Sequence, residues 1–146
     1  MCYFCNLPVL LVMMGAIKIN EFKEPKERAV SDAPSDNLIL ALQDPALYDH
    51  PVKDFQVIET HISWVILTGD YAYKIKKPMD FGFLDFSTLA RRKRFCEEEL
   101  RLNRRLANNL YLDVLPITGS AEAPALGGEG DAFEYAIRMR QFDQNE

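Results

Sequence analysis

The sequence predicts an α+β fold: a mostly antiparallel sheet of about five strands with one long helix packed on it. Alternating runs at Ile62–Leu67 and Tyr71–Lys77 flank a Gly69-Asp70 break, which is the pattern of a hairpin. The stretch from Thr88 to about Asn108 then runs without glycine or proline and carries apolar residues at helical spacing. A chain of 146 residues, 48% hydrophobic, has the length of one domain and enough apolar content to bury a core.

Residues 1–36 read as a poorly ordered tail and linker. The apolar run Leu7 to Ile17 has no basic residue ahead of it, unlike a signal peptide. The tail reading includes upstream sequence translated ahead of a start at Met13 or Met14, and an anchor or signal is the other reading of that run. Glu21 to Asp36 is charged and broken by Pro25 and Pro34. The domain proper spans 37–142. Asp36 can cap a short helix, Asn37 to Leu42, which Pro45 ends or restarts. His50-Pro51 closes this entry, and Phe55 to Glu59 begins the sheet. Thr60 to Ser63 forms the turn into the first hairpin strand. Beyond the helix and Tyr111, Asp113 to Ile117 forms a strand, and Gly119 to Gly130 a glycine- and alanine-rich loop. Ala132 to Arg140 forms the last strand, with Phe133, Tyr135, Ile137 and Met139 alternating against Glu134, Ala136, Arg138 and Arg140.

The chemistry lies where the second hairpin strand meets the helix. Ala72, Lys74 and Lys76 share one strand face, and Tyr71, Tyr73 and Ile75 the other. Ser87 can cap the helix. On the helix, Leu89, Phe95, Cys96, Leu100, Leu102, Leu106 and Ala107 fall on one arc, with Glu99 near its middle. Glu97 and Glu98 point to the charged side, with Arg91, Arg94, Arg101, Arg104 and Arg105. A carboxylate on a core-facing arc needs a cation, and Lys74 is the nearest candidate. A strand lysine paired with a helix glutamate is how kinases hold nucleotide phosphates. Arg91-Arg92-Lys93-Arg94 reads as a solvated face paired with glutamates rather than an RNA patch.

Ala72-Tyr73-Lys74 followed by the glutamate of the next helix resembles the N-terminal lobe of a protein-kinase-like fold. The fuller wording IETHISWVILTGDYAYKIKKP, GFLDFSTLARR and FCEEELRLNRRLANNLYLDVLPI resembles a bacterial aminoglycoside-phosphotransferase-like family, often fused to a P-loop ATP-binding domain. The resemblance covers roughly Asn37 to Gln141. It implies ATP and Mg2+ as cofactors, with Lys74 at the phosphates, Glu99 holding it and Ala72 beside the nucleotide. It implies that the Thr60–Ser63 turn lies over the phosphates, with the Ser63 hydroxyl or backbone N–H groups facing them. His61 is either part of that turn's function or a turn residue with no role. Met139 to Phe142, with Gln141, leads into a hinge whose backbone meets adenine, and 143–146 begins that hinge. The turn lacks the G-x-G-x-x-G of protein kinases. Asp80-Phe81-Gly82 is a decoy, since the magnesium D-F-G follows the catalytic loop, whereas this one precedes the helix.

Neither His50 nor His61 begins an H-x-D, and there is no G-x-x-x-x-G-K-[ST]. The expectation is an N-lobe alone, a fragment with no catalytic residue of its own. Its small-molecule hydroxyl acceptor would be bound by a C-terminal lobe, and an uncovered face near the last strand would promote self-association. Two other readings stay open: a free-standing interaction module, and a small α+β domain in which Lys74 and Glu99 form a purely structural pair.

A net charge of −5 argues against a nucleic-acid partner. No apolar run reaches the roughly 18 residues that span a bilayer. The 3 cysteines are an odd number with Cys96 on the core arc, which fits a reducing cytoplasm better than a disulfide scaffold. Cys2-Tyr3-Phe4-Cys5 has no second pair to complete a zinc site.

Overall fold

The computed structural model describes residues 35–107 and 109–141, and among these described residues nine elements follow one another. The expected tail up to residue 34, the Cys2–Cys5 pair, Phe142 and the hinge start at 143–146 lie outside the described residues. Helix α1 spans Ser35–Ala41, and a 3-10 turn spans Pro45–Leu47. Strands β1 (Gln56–Glu59), β2 (Ser63–Leu67) and β3 (Tyr71–Lys76) form a meander. Helix α2 (Leu89–Ala107) follows, then β4 (Tyr111–Gly119), β5 (Pro124–Leu126) and β6 (Glu134–Arg140). The fold is α+β: the strands form one 6-stranded sheet in the order β1-β2-β3-β6-β4-β5, antiparallel at every pairing, with α2 packed on it.

The sheet has one strand beyond the expected five. Pro124–Leu126 pairs with the end of β4, inside the stretch expected as a loop. Three residues are too few for any alternation to show. Helix α1 begins at Ser35, so Asp36 lies in its first turn rather than ahead of it.

The β2–β3 turn is closed by Thr68, whose N–H and hydroxyl both donate to the Tyr71 carbonyl, at 2.9 and 2.8 Å. Gly69 takes φ 107°, a backbone conformation that side-chain-bearing residues rarely adopt. In the register, Leu67 faces Ala72, Val65 faces Lys74 and Ser63 faces Lys76; across the other edge Ala72 faces Met139 and Lys74 faces Ile137.

Both faces of the sheet are covered. On the α2 side, Val65, Leu67, Ala72, Cys96, Tyr111, Ile137 and Met139 form one core. On the other side α1 supplies Leu38 and Ile39, and the turn after it Leu42, to a second core with Trp64, Ile66, Tyr73, Ile75 and Ile117. This explains why β2 is buried along its whole length and apolar from Trp64 to Leu67 rather than alternating.

Helix α2 departs from expectation in its rotation. Its buried residues are Arg92, Cys96, Glu99 and Asn103, with Leu100 and Ala107 partly buried beside them. This stripe is centred near Cys96, and Leu102 and Leu106 fall roughly 75° or more to one side of it. They are 37% and 78% exposed, against the arc reading. A count of apolar positions could not see that polar side chains set the phase. The run Arg91–Arg94 is likewise not a uniformly solvated face: Arg92 is buried, donating to Glu134 Oε1 at 3.0 Å and to the Phe86 carbonyl at 2.9 Å. The cap also moves by one residue. The Thr88 hydroxyl accepts the Arg91 N–H at 3.2 Å, while the Ser87 hydroxyl donates to Asp85. In β6 Ala136, Ile137 and Met139 are buried and Tyr135 is partly so; the exposed large apolar side chains among the described residues are Leu40, Phe83, Leu102 and Leu106.

Candidate functional site

Strand alternation puts Lys74 and Lys76 on the α2 side of β3, and the helix phase turns Glu99 toward them. Lys74 Nζ donates to Glu99 Oε1 and Lys76 Nζ to Glu99 Oε2, each at 2.7 Å. All three side chains are buried. Glu98 faces solvent and pairs with Arg101 at 2.8 Å, as the sequence phase of these two glutamates predicts. Lys76 was the missing member of the cluster, although the alternation already put it on the same face two residues from Lys74.

Burial lowers the Lys74 ammonium from its ordinary value, the Glu99 carboxylate opposes this, and the Lys76 charge adds to it. Burial alone would raise the Glu99 carboxyl, but Lys74 and Lys76 together hold it below the usual carboxylate range. Lys74 and Glu99 therefore both shift downward, Lys74 because burial outweighs a shared carboxylate and Glu99 because two ammoniums outweigh its burial. Cys96, packed against the cluster, has its thiol pushed up to about 12 by burial, so it behaves as an apolar side chain. Glu134 is raised by burial, with Arg92 opposing, which makes the Arg92–Glu134 bridge a second buried tie between helix and sheet.

The sequence-derived site residues lie in order along one strand direction. Gln141 is at one end, where its N–H donates to the Asp70 carbonyl at 2.9 Å and its Oε1 accepts the Gly69 N–H at 2.9 Å. Ala72 and Met139 come next as register partners, both buried. Lys74 follows, then Lys76 opposite Ser63. Ser63 is buried, and its hydroxyl lies 3.2 Å from Thr60 Oγ1, which also accepts the Ile62 and Ser63 N–H groups at 3.3 and 3.1 Å. Exposed His61 sits in that turn, at the opposite end of the hairpin from Gln141. Asp80 and Gly82 belong to the link before α2, with Asp80 Oδ1 accepting the Gly82 N–H at 2.8 Å.

Beyond Lys76 opens a cavity of about 620 Å³, lined by Lys76 and Glu99 together with Phe83–Phe86 of the link and Arg91, Arg94, Phe95, Glu98 and Leu102 of α2. The Lys76 ammonium lies 5.0 Å from the centre of the Phe86 ring. Two further polar groups had no sequence signal: Asn103 Nδ2 and Tyr111 Oη are buried without a hydrogen-bond partner among the described residues. Among those residues no group of three or more His, Cys, Asp or Glu side chains is placed to hold a metal ion, and no helix is long and apolar enough to cross a membrane.

Uncharacterised proteins of Mycobacterium tuberculosis and Mycobacterium bovis are similar to this chain, 45% identical over 80 residues. The match covers 50% of this chain and 16% of each relative, so the chain spans only a small part of the curated proteins it resembles. No protein-family model and no solved structure matches it.

Proposed function

We propose that this domain is the nucleotide-side lobe of an aminoglycoside-phosphotransferase-like small-molecule kinase, with Lys74 neutralising nucleotide phosphates and Glu99 holding Lys74 in place. The observation that carries this reading is the buried contact of Lys74 Nζ with Glu99 Oε1 at 2.7 Å, joining a strand lysine to the helix that follows. The linear order Gln141, Met139–Ala72, Lys74 supports it, because a nucleotide is an elongated ligand with an apolar base at one end and anions at the other.

ATP would supply the transferable phosphoryl group. The groups that fit ATP here are the Lys74 ammonium for the phosphates and the apolar Ala72–Met139 pair for the base. For magnesium, the described residues offer no group of three or more His, Cys, Asp or Glu side chains. We assign the metal, the nucleophile-orienting aspartate and the hydroxyl acceptor to a second lobe. The domain by itself would then bind nucleotide weakly, since one wall of a cleft buries far less of a ligand than the 70–90% usual in pockets. The buried free thiol of Cys96 fits a reducing cytoplasm.

The purely structural reading has its own support: Glu99 uses both oxygens inside the fold, and Lys74 is 3% exposed. Calorimetric titration of ATP into the wild-type chain and Lys74→Met separates the two readings. The nucleotide reading expects the variant to keep its circular dichroism spectrum and lose affinity by at least about tenfold, the size of a charge-assisted contact. Unfolding of Lys74→Met, or unchanged affinity, supports the structural pair instead. Phosphorylation of an aminoglycoside by this chain, lost in Lys74→Met, would show that its catalytic groups lie within it.

A further inference from the structure

Glu99 faces two cations, and the Lys74 and Lys76 side chains are only 4% and 2% exposed. The neighbouring buried charges, Arg92 and Glu134, neutralise each other at 3.0 Å. With all three groups ionised, the Lys74–Glu99–Lys76 cluster holds one excess positive charge away from bulk water. A buried charge with no counter-charge is costly, and it is relieved either by an ammonium giving up its proton, the direction in which Lys74 is shifted, or by an anion that completes the cluster. Each ammonium carries three N–H donors, and Glu99 takes one from each. The Phe86 ring at 5.0 Å is a weak further partner for Lys76 and supplies no anion.

The placement of the second lysine gives the missing anion a shape. Side chains two apart on a strand sit on one face about 6.6 Å apart. Reading along β3 from the Ala72–Met139 pair, a linear polyanion meets Lys74 first and Lys76 second. At the Lys76 end it reaches the cavity whose wall carries Arg91, paired with Asp85, and Arg94 together with Glu98.

We propose that Lys76 is a second phosphate-contacting residue, so that the site takes polyphosphate groups, as in a nucleoside di- or triphosphate, in preference to a monophosphate. This rests on the reading of Lys74 as a phosphate ligand. It adds a residue that the strand-lysine and helix-glutamate pair does not include.

The test titrates ATP, AMP and inorganic tripolyphosphate into the full chain and into Lys74→Met, Lys76→Met and Lys76→Gln. Circular dichroism and thermal melting are followed in parallel. Lys76→Met leaves one lysine on one carboxylate, so it is expected to melt at or above the wild-type temperature. It is also expected to lose ATP and tripolyphosphate affinity by at least about tenfold, with AMP affinity within about twofold of wild type. Should the methionine variant not fold, Lys76→Gln carries the test, because it keeps a polar donor on the same strand face without the charge. ATP and tripolyphosphate binding that survives loss of Lys76 but not of Lys74 overturns the proposal and leaves the phosphate reading standing. Lys76-dependent tripolyphosphate binding with no affinity for ATP supports the proposal and removes the nucleotide reading. No binding of any of the three by the wild-type chain removes both.

Discussion

Glu99 bridges Lys74 and Lys76 with one oxygen to each, so removing its charge leaves two ammoniums buried against one another. Glu99→Gln keeps the shape, yet its amide can accept from only one lysine. We expect a loss of roughly 3–5 kcal/mol in urea unfolding, the range for breaking a buried ion pair. The pH dependence has a definite sign. The folded Glu99 carboxyl lies below its unfolded value of 4.5, so its contribution is present above that value and is lost as pH falls through the folded one. Wild-type stability should fall with acidification below pH 4.5 more steeply than that of Glu99→Gln. Lys74 acts at the other end of the scale. Its folded value is lowered from 10.5, so the unfolded chain binds the extra proton and stability rises with pH up to about that value. In Lys74→Met that alkaline rise should be smaller, as followed by denaturant melts between neutral pH and pH 10.5.

At the scale of the element, α2 is held at its start by Thr88 and along its length by two buried ionic ties to the sheet. Thr88→Ala should cost about 1 kcal/mol, the usual worth of an N-cap. Ser87→Ala, whose hydroxyl serves Asp85 instead, should cost less in the same urea titration. Arg92→Ala strips Glu134 of its cation and the Phe86 carbonyl of a donor. Its cost should reach about 3 kcal/mol or more, and Glu134, already raised by burial, should take up a proton in the variant. The Arg92 tie fastens the helix near the link that lines the cavity, so we expect this variant to disturb ligand binding at Lys76 as well as stability.

At the scale of the whole molecule, the sheet is a middle layer rather than a floor, with α2 on one face and α1 on the other. Leu42, 1% exposed, is part of the second core, and Leu42→Ala should cost about 2–5 kcal/mol, as core truncations do. Leu40, two residues earlier on α1, is 69% exposed, and Leu40→Ala should stay within about 0.5 kcal/mol of wild type. Leu106→Lys makes the same comparison for α2. At 78% exposure it should be tolerated to within about 0.5 kcal/mol, although the periodicity of the sequence assigns Leu106 to the core.

Local pattern alone determined the hairpin around Gly69, the single long helix, the α+β class and the facing of Glu99 as against Glu98. These follow from alternation of two, a helical repeat of 3.6 and turn chemistry, all of which act between near neighbours in the chain. The Lys74–Glu99 contact was legible for the same reason: both residues had a definite face, and a buried carboxylate demands a cation. Tertiary structure decided what depends on partners far away in sequence. The rotation of α2 follows from Arg92 meeting Glu134, 42 residues on, and from Glu99 meeting lysines 25 and 23 residues back. Burial of the Tyr73 and Ile75 face follows from α1, whose few turns carry too short a pattern to announce what they cover. Lys76 stood on the right face from the start, but only the folded distances show that one carboxylate is shared between two lysines. That sharing creates the excess positive charge because Glu99 has two oxygens and a single negative charge.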